Sequence, residues 1–251
     1  MQTLVVADPL ADLARLEGVP SAVAAALDAV DVVLRDRGLR ALPPEAVAGA
    51  RVVGARGSAA LTEDPERWLP GAVRVAAELP TLAATLRLAP AQALARVHLL
   101  VARGSVPPEQ LGRLATTAGT TERMAGLQDL LMAPTSVSAV ILGAVVHGEL
   151  ATAAPFGSAD GLVARAAEHL VLVGGGVDPL AVVPVEAGHA ESPAAYRAAV
   201  AGYRGGTLAG VRSWLLHCAA ALSRGAELSA VGPARRSRTG RSDGGATDAR
   251  A

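Results

Sequence analysis

Two apolar helical patterns, Ser136 to Ala153 and Leu162 to Val173, flank a short polar run, Gly157-Ser158-Ala159-Asp160-Gly161. A helix that starts directly after a tight loop has unpaired backbone N–H groups and the positive end of its dipole in the first turn. Such a start suits an anion. Gly161 would let a phosphate approach the backbone closely. Asp160 has two readings in that loop. Its carboxylate repels a phosphate, or it caps the helix, which its type favours. Arg165 follows one helical turn after Gly161, and its guanidinium is a planar fork matched to phosphate or carboxylate oxygens. A salt bridge to Glu149 or Glu168 is the alternative use of that charge.

Other residue types that carry chemistry are thin. The five histidines, His98, His147, His169, His189 and His217, have no close ligand spacing, so no zinc site is expected. His147, on an apolar helix, reads as a satisfied core histidine. Cys218 is the single cysteine, which excludes an intramolecular disulfide and reads as a buried structural thiol. Val171-Leu172-Val173-Gly174-Gly175-Gly176 lacks the G-x-G-x-x-G spacing of a dinucleotide loop and reads as a helix stop. No G-x-S-x-G nucleophile elbow is present.

The elements that must position these residues are helices. Asp8-Pro9 starts a helical stretch to Arg40, with apolar stripes on either side of Val19-Pro20. Leu42-Pro43-Pro44 breaks it. Further helices are expected over Glu45–Leu61, Trp68–Leu86 (as one or two) and Pro90–Val101. Glu109–Met132 reads as mostly helical, with a weak point near Gly119. Ala194–Tyr203 and Leu208–Arg224 close the fold. Residues 1–44 read as an N-terminal helical extension and 45–228 as the main domain. Residues 229–251, rich in Arg, Gly and Ser, read as a disordered tail.

Composition agrees with an all-α chain. Of 251 residues, 51% are apolar but only 2% are aromatic, so the core is built from Ala, Val and Leu. A formal net charge of zero argues against a nucleic-acid surface. Neither a basic leader followed by a long apolar run nor the roughly 20 apolar residues of a membrane span is found. A soluble, cytoplasmic protein is the expectation.

The run His147-Gly148-Glu149-Leu150-Ala151-Thr152-Ala153-Ala154-Pro155-Phe156-Gly157-Ser158-Ala159-Asp160-Gly161-Leu162-Val163-Ala164-Arg165 resembles the core motif of the Fic (Fido-fold) protein-modifying enzymes. There a helix with an early His runs into H-P-F-x-(D/E)-G-N-G-R-x-x-R. Ala144-Val145-Val146-His147-Gly148-Glu149-Leu150 resembles the helix that delivers the motif. Leu94-Ala95-Arg96-Val97-His98-Leu99 resembles the family's leucine–histidine helix. Asp178-Pro179-Leu180, Tyr196 and Trp214 are similar to its closing segments. The likeness covers roughly residues 45 to 225 and implies an all-α Fic/Fido-like helical bundle, with a small β-hairpin flap near 103 to 122.

Pro155, Phe156, Gly161 and Arg165 are retained in the motif. The family's catalytic His is replaced by Ala154, its acidic metal ligand by Ser158, the following Gly by Ala159, its Asn by Asp160 and its first Arg by Leu162. In the family that His is the general base, and losing such a base costs about 10²–10⁴-fold in rate. Ser158 is a weaker Mg²⁺ ligand than a carboxylate. By resemblance Arg165 reaches the terminal phosphate of a nucleotide. Gly57-Ser58-Ala59-Ala60-Leu61-Thr62-Glu63 resembles the family's inhibitory helix (S/T)-x-x-x-E-(G/N), with Thr62 at the Glu position.

The resemblance therefore implies a chain with no catalytic residue and no metal ligands. It is silent for AMP transfer and acts as a phosphate-ligand or protein-binding module. Ser58, Gly157, Ser158, Asp160, Gly161 and Arg165 are the expected ligand-binding residues. The cofactor, if any, is a nucleotide or phosphate held without firm Mg²⁺ binding. The alternative is an active, diverged nucleotidyl- or phospho-group transferase with Asp160 or His169 as replacement base.

Overall fold

The computed structural model describes residues 8–36, 43–115 and 119–229. They form ten helices: α1 Val19–Leu34, α2 Pro44–Ala60, α3 Pro65–Leu88, α4 Pro90–Ala102, α5 Thr120–Met132, α6 Ala139–Ala153, α7 Asp160–Gly174, α8 Val185–Ala190, α9 Pro193–Arg204 and α10 Leu208–Leu228. The protein is all-α. Among the described residues no helix is long and apolar enough to cross a membrane. Residues 1–7, 37–42 and 230–251, the last being nearly all of the expected tail, lie outside the described residues.

Local chemistry sets the helix starts. The side chains of Asp64, Ser138 and Thr207 accept backbone N–H bonds at the heads of α3, α6 and α10, each cap contributing about 1 kcal/mol. Proline opens α2, α3, α4 and α9, where its missing N–H has no intrahelical role. Pro70 and Pro80 lie on the exposed face of α3. Its opposite face buries Val75, Leu79, Leu82 and Leu86, so tertiary packing carries one continuous helix through both prolines.

The molecule is organised around the antiparallel pair α6 and α7. Every residue of α7 from Leu162 to Leu172 is buried. On one side α6 gives Val146 and Leu150 to a core shared with Leu79 of α3 and Leu94 and Val97 of α4. On the other side it gives Ile141, Ala144 and Val145 to a core with Val30 of α1 and Trp214 and Leu222 of α10. A helix buried on both sides is apolar all round. The Trp214 indole N–H donates to Ala144 O at 2.7 Å and ties α10 to α6.

Four elements differ from expectation. The helix expected from Asp8-Pro9 begins only at Val19, with a 3₁₀ turn at Leu13–Arg15 ahead of it, and the one expected over 109–132 begins only at Thr120. Segment 103–115 holds a single bridge, Arg103 to Val106, and a 3₁₀ turn at Pro108–Gln110. Among the described residues no strand forms there, so the hairpin flap is corrected to a loop. Pro107 and Pro108 have no N–H to give to a ladder. Helix α8, absent from the sequence reading, follows a loop held by Asp178. That carboxylate accepts N–H bonds from Val182 at 3.1 Å and Val183 at 2.8 Å.

Candidate functional site

The α6–α7 connection is a tight loop stabilised from within. Helix α6 ends on Ala154, whose φ of 46° is left-handed, and Ala159 (φ 56°) precedes α7 in the same region. Ala154 N donates back to Leu150 O at 3.1 Å. Asp160 does not cap α7. It is that helix's first residue, and its Oδ1 accepts the N–H of Phe156 across the loop at 2.8 Å. Burial raises its carboxyl to about 6, against the bonds from Phe156 and neighbouring N–H groups.

The other side of the loop rests on α4. The ring of Phe156 stacks on His98 at 4.4 Å between centroids and 6° between planes. His98 Nδ1 accepts the N–H of Gly112 at 2.9 Å. Burial holds the imidazole below its ordinary pKa, so the neutral ring carries its proton on Nε2. It donates from there to Ser158 Oγ at 3.1 Å. Ser158 is thus a tethered acceptor, and His98 is no base towards it.

Arg165 is 2% exposed. Its Nε donates to Ser58 Oγ at 3.0 Å, Nη2 to Ser58 O at 2.9 Å and Nη1 to the Tyr196 hydroxyl at 3.0 Å. Neither carboxylate considered for it pairs with it. Glu149 bonds Arg123 at 2.8 Å and Tyr203 at 2.9 Å, and Glu168 bonds His147 and His189. A guanidinium has five N–H donors, and three are engaged among the described residues.

Arg165, Asp160 and Gly161 share a cleft of about 330 Å³ with Leu61, Thr62, Glu63, Trp68, Ala159 and Leu162. Ser58 holds Arg165 from beneath and lines a separate small pocket with Leu162 and Glu186. Gly157 and Ser158 lie towards Ala115 and His98, outside that lining. Leu162 is 3% exposed and belongs to the core. Thr62 Oγ1 donates to Ala59 O at 2.6 Å, closing the end of α2.

His169 is far from a base role. Burial pushes its pKa down, but Glu186 and Asp178 outweigh that and raise it to about 10. Its Nδ1 lies 2.9 Å from Glu186 Oε1 and its Nε2 3.4 Å from Asp178 Oδ2, with the ring 1% exposed. It is an imidazolium that binds α7 to α8 and the loop before it.

Behind Arg165 runs a buried polar network that sequence reasoning did not assemble. Tyr196 OH sits 2.9 Å from His147 Nε2. His147 Nδ1 lies 2.6 Å from Glu168 Oε2. The same oxygen is 2.8 Å from His189 Nε2, and His189 Nδ1 is 3.1 Å from His217 Nε2. Burial lowers His147 to about 4 and His217 to about 3. Burial pushes the Glu168 carboxyl up, but His189 and His147 beside it prevail and hold it well below its usual range. His147 is buried with a partner at each ring nitrogen. Its partners come from α7, α8, α9 and α10, and no short-range spacing links them.

No family model and no curated protein matches the sequence. Among solved structures the chain is similar to a Fic family protein from Desulfovibrio desulfuricans G20. The TM-score is 0.62 at 18% identity, covering 90% of this chain and 76% of that one. The ten helices around the α6–α7 pair therefore have the fold of a Fic family protein.

Proposed function

We propose that this Fic-fold protein is silent for nucleotide transfer and uses the cleft at the head of α7 to hold a phosphate-bearing ligand. The observation that carries the reading is Ala154. It occupies the place where the resemblance puts a general base, and a methyl group takes no proton. Arg165 supports the binding half, with two N–H groups that have no partner among the described residues, beside the first turn of α7. Trp68 on the cleft wall offers an aromatic face to a base or another flat group. The Mg²⁺ that the fold family implies does not fit this chain. Ser158 replaces the carboxylate and its Oγ is tethered to His98, while Asp160 is engaged with Phe156 N–H. No step is derived through a metal there.

A second reading has one observation in its favour. Asp160 faces the cleft with a carboxyl raised to about 6, a value suited to a general base near neutral pH. The reading is an active, diverged transferase that uses Asp160. A thermal-shift series with inorganic phosphate, AMP, ADP, ATP and GTP tests the first reading, because a ligand of the native state raises the melting point. Arg165→Lys should weaken the responding ligand about tenfold, the equivalent of one charge-assisted hydrogen bond. Labelled nucleotide incubated with lysate separates the two readings. Transfer by the native chain that Asp160→Asn abolishes overturns silence; transfer only after Ala154→His supports it. A flat thermal series overturns the phosphate ligand and leaves a protein partner as the occupant.

A further inference from the structure

Four helices each aim one potential ligand at a single buried point. His147 comes from α6, Glu168 from α7, His189 from α8 and Cys218 from α10. One ligand atom from each lies within 4.8 Å of all the others, and all four residues are buried. We propose that His147, Glu168, His189 and Cys218 form a structural zinc site, separate from the cleft at the head of α7.

The donor set selects the metal. Two imidazole nitrogens, a thiolate and a carboxylate suit Zn²⁺ in tetrahedral geometry, and Mg²⁺ and Ca²⁺ take oxygen ligands instead. Thiolate and carboxylate together carry two negative charges and neutralise a divalent ion, as a buried site requires. Four protein ligands leave no open position, which marks a structural rather than a catalytic site. The outward nitrogens are already held. His147 Nε2 meets the Tyr196 hydroxyl at 2.9 Å and His189 Nδ1 meets His217 Nε2 at 3.1 Å. Metal-bound histidines are oriented by such second partners.

Loading needs a small expansion. The Glu168 oxygen lies 2.6 and 2.8 Å from the two inward nitrogens, and tetrahedral bonds of ordinary length separate ligands by ~3.3 Å. Each imidazole carries its proton on the outward nitrogen instead of the inward one and donates a hydrogen bond from there to the Tyr196 oxygen or to His217 Nε2, with His217 keeping its own proton on Nδ1. The Cys218 thiol loses its proton as the sulfur–zinc bond forms, so one proton leaves per ion bound. No ligand side chain is more than 3% exposed among the two histidines and Glu168, and Cys218 is 0% exposed. The ion therefore enters during folding.

The test begins with metal analysis of full-length protein purified without chelator. It continues with unfolding in denaturant plus chelator and refolding with Co²⁺ as the probe. The expected result is one metal per chain and, with Co²⁺, a thiolate charge-transfer band with intense tetrahedral d–d bands. Cys218→Ser should abolish the charge-transfer band, and His189→Gln should weaken binding at least tenfold. Should either variant fail to fold, the wild-type spectra still decide. Substoichiometric metal in folded wild type, or weak six-coordinate bands without charge transfer, overturns the site and leaves the four residues as a hydrogen-bonded network.

Discussion

Asp160 spends its carboxylate on the Phe156 N–H inside a loop whose helix terminus attracts anions, and burial raises its pKa from 3.8 to about 6. The folded state therefore holds this proton more tightly than the unfolded chain. Its stabilising effect is complete below pH 3.8 and is lost as pH rises through about 6. Asp160→Asn should flatten stability across that window. At pH 7 it should stabilise by about 1 kcal/mol once screening of the exposed edge is discounted, as read by denaturant melts at several pH values. The same change removes a negative charge beside Arg165 and should tighten phosphate. Of the six residues that the sequence singled out, Asp160, Gly161 and Arg165 line one cleft. The sequence did not expose that Ser158 turns to His98 or that Ser58 grips Arg165. Those contacts span 60 and 107 residues, beyond any local pattern. At His169 the roles are structural, and His169→Gln should cost about 3–5 kcal/mol by leaving Glu186 and Asp178 buried without their cation.

Helix α8 is the element that sequence periodicity missed. Its six residues are too few to show a stripe, and no side chain caps it. Its position depends on backbone approach instead. A Cβ built on Gly188 would lie 1.9 Å from Ala221 O in α10, and one on Gly57 of α2 would lie 2.4 Å from Ala187 Cα. Gly188→Ala should destabilise by about 1–3 kcal/mol through overpacking, with Gly49→Ala, which meets nothing within 4 Å, as the mild control in equilibrium unfolding. The long helices were legible because apolar spacing and the prolines and glycines at their ends agree. Helices α2, α4, α7 and α10 begin and end within about a turn of the expected Glu45–Leu61, Pro90–Val101, Leu162–Val173 and Leu208–Arg224. Helix α3 was ambiguous since Pro70 and Pro80 argue for breaks that packing overrides. The segment after α4 reads as a hairpin only by resemblance, and its prolines favour the loop that forms.

At the scale of the molecule, the α6–α7 pair separates two cores and joins two centres of polar chemistry, the open cleft and the closed cluster. Arg165 and Tyr196 link them, since the hydroxyl that accepts from the guanidinium also meets His147. Trp214→Phe should cost about 1–3 kcal/mol because it removes the indole N–H bond to Ala144 O and loosens α10 from α6. Thermal unfolding with and without added Zn²⁺ would show whether that loss adds to the loss of the ion. The chain has two tryptophans, and they are divided between the two centres. Trp68 lines the cleft, with the Arg67 guanidinium 4.9 Å from its ring centroid. Trp214 lies 4.8 Å from His147 and 6.2 Å from His189, ring to ring. The protein thus carries its own pair of optical reporters. Emission from a Trp68→Phe variant would respond to Co²⁺ quenching at the closed cluster alone, and a Trp214→Phe variant would report only what enters the cleft.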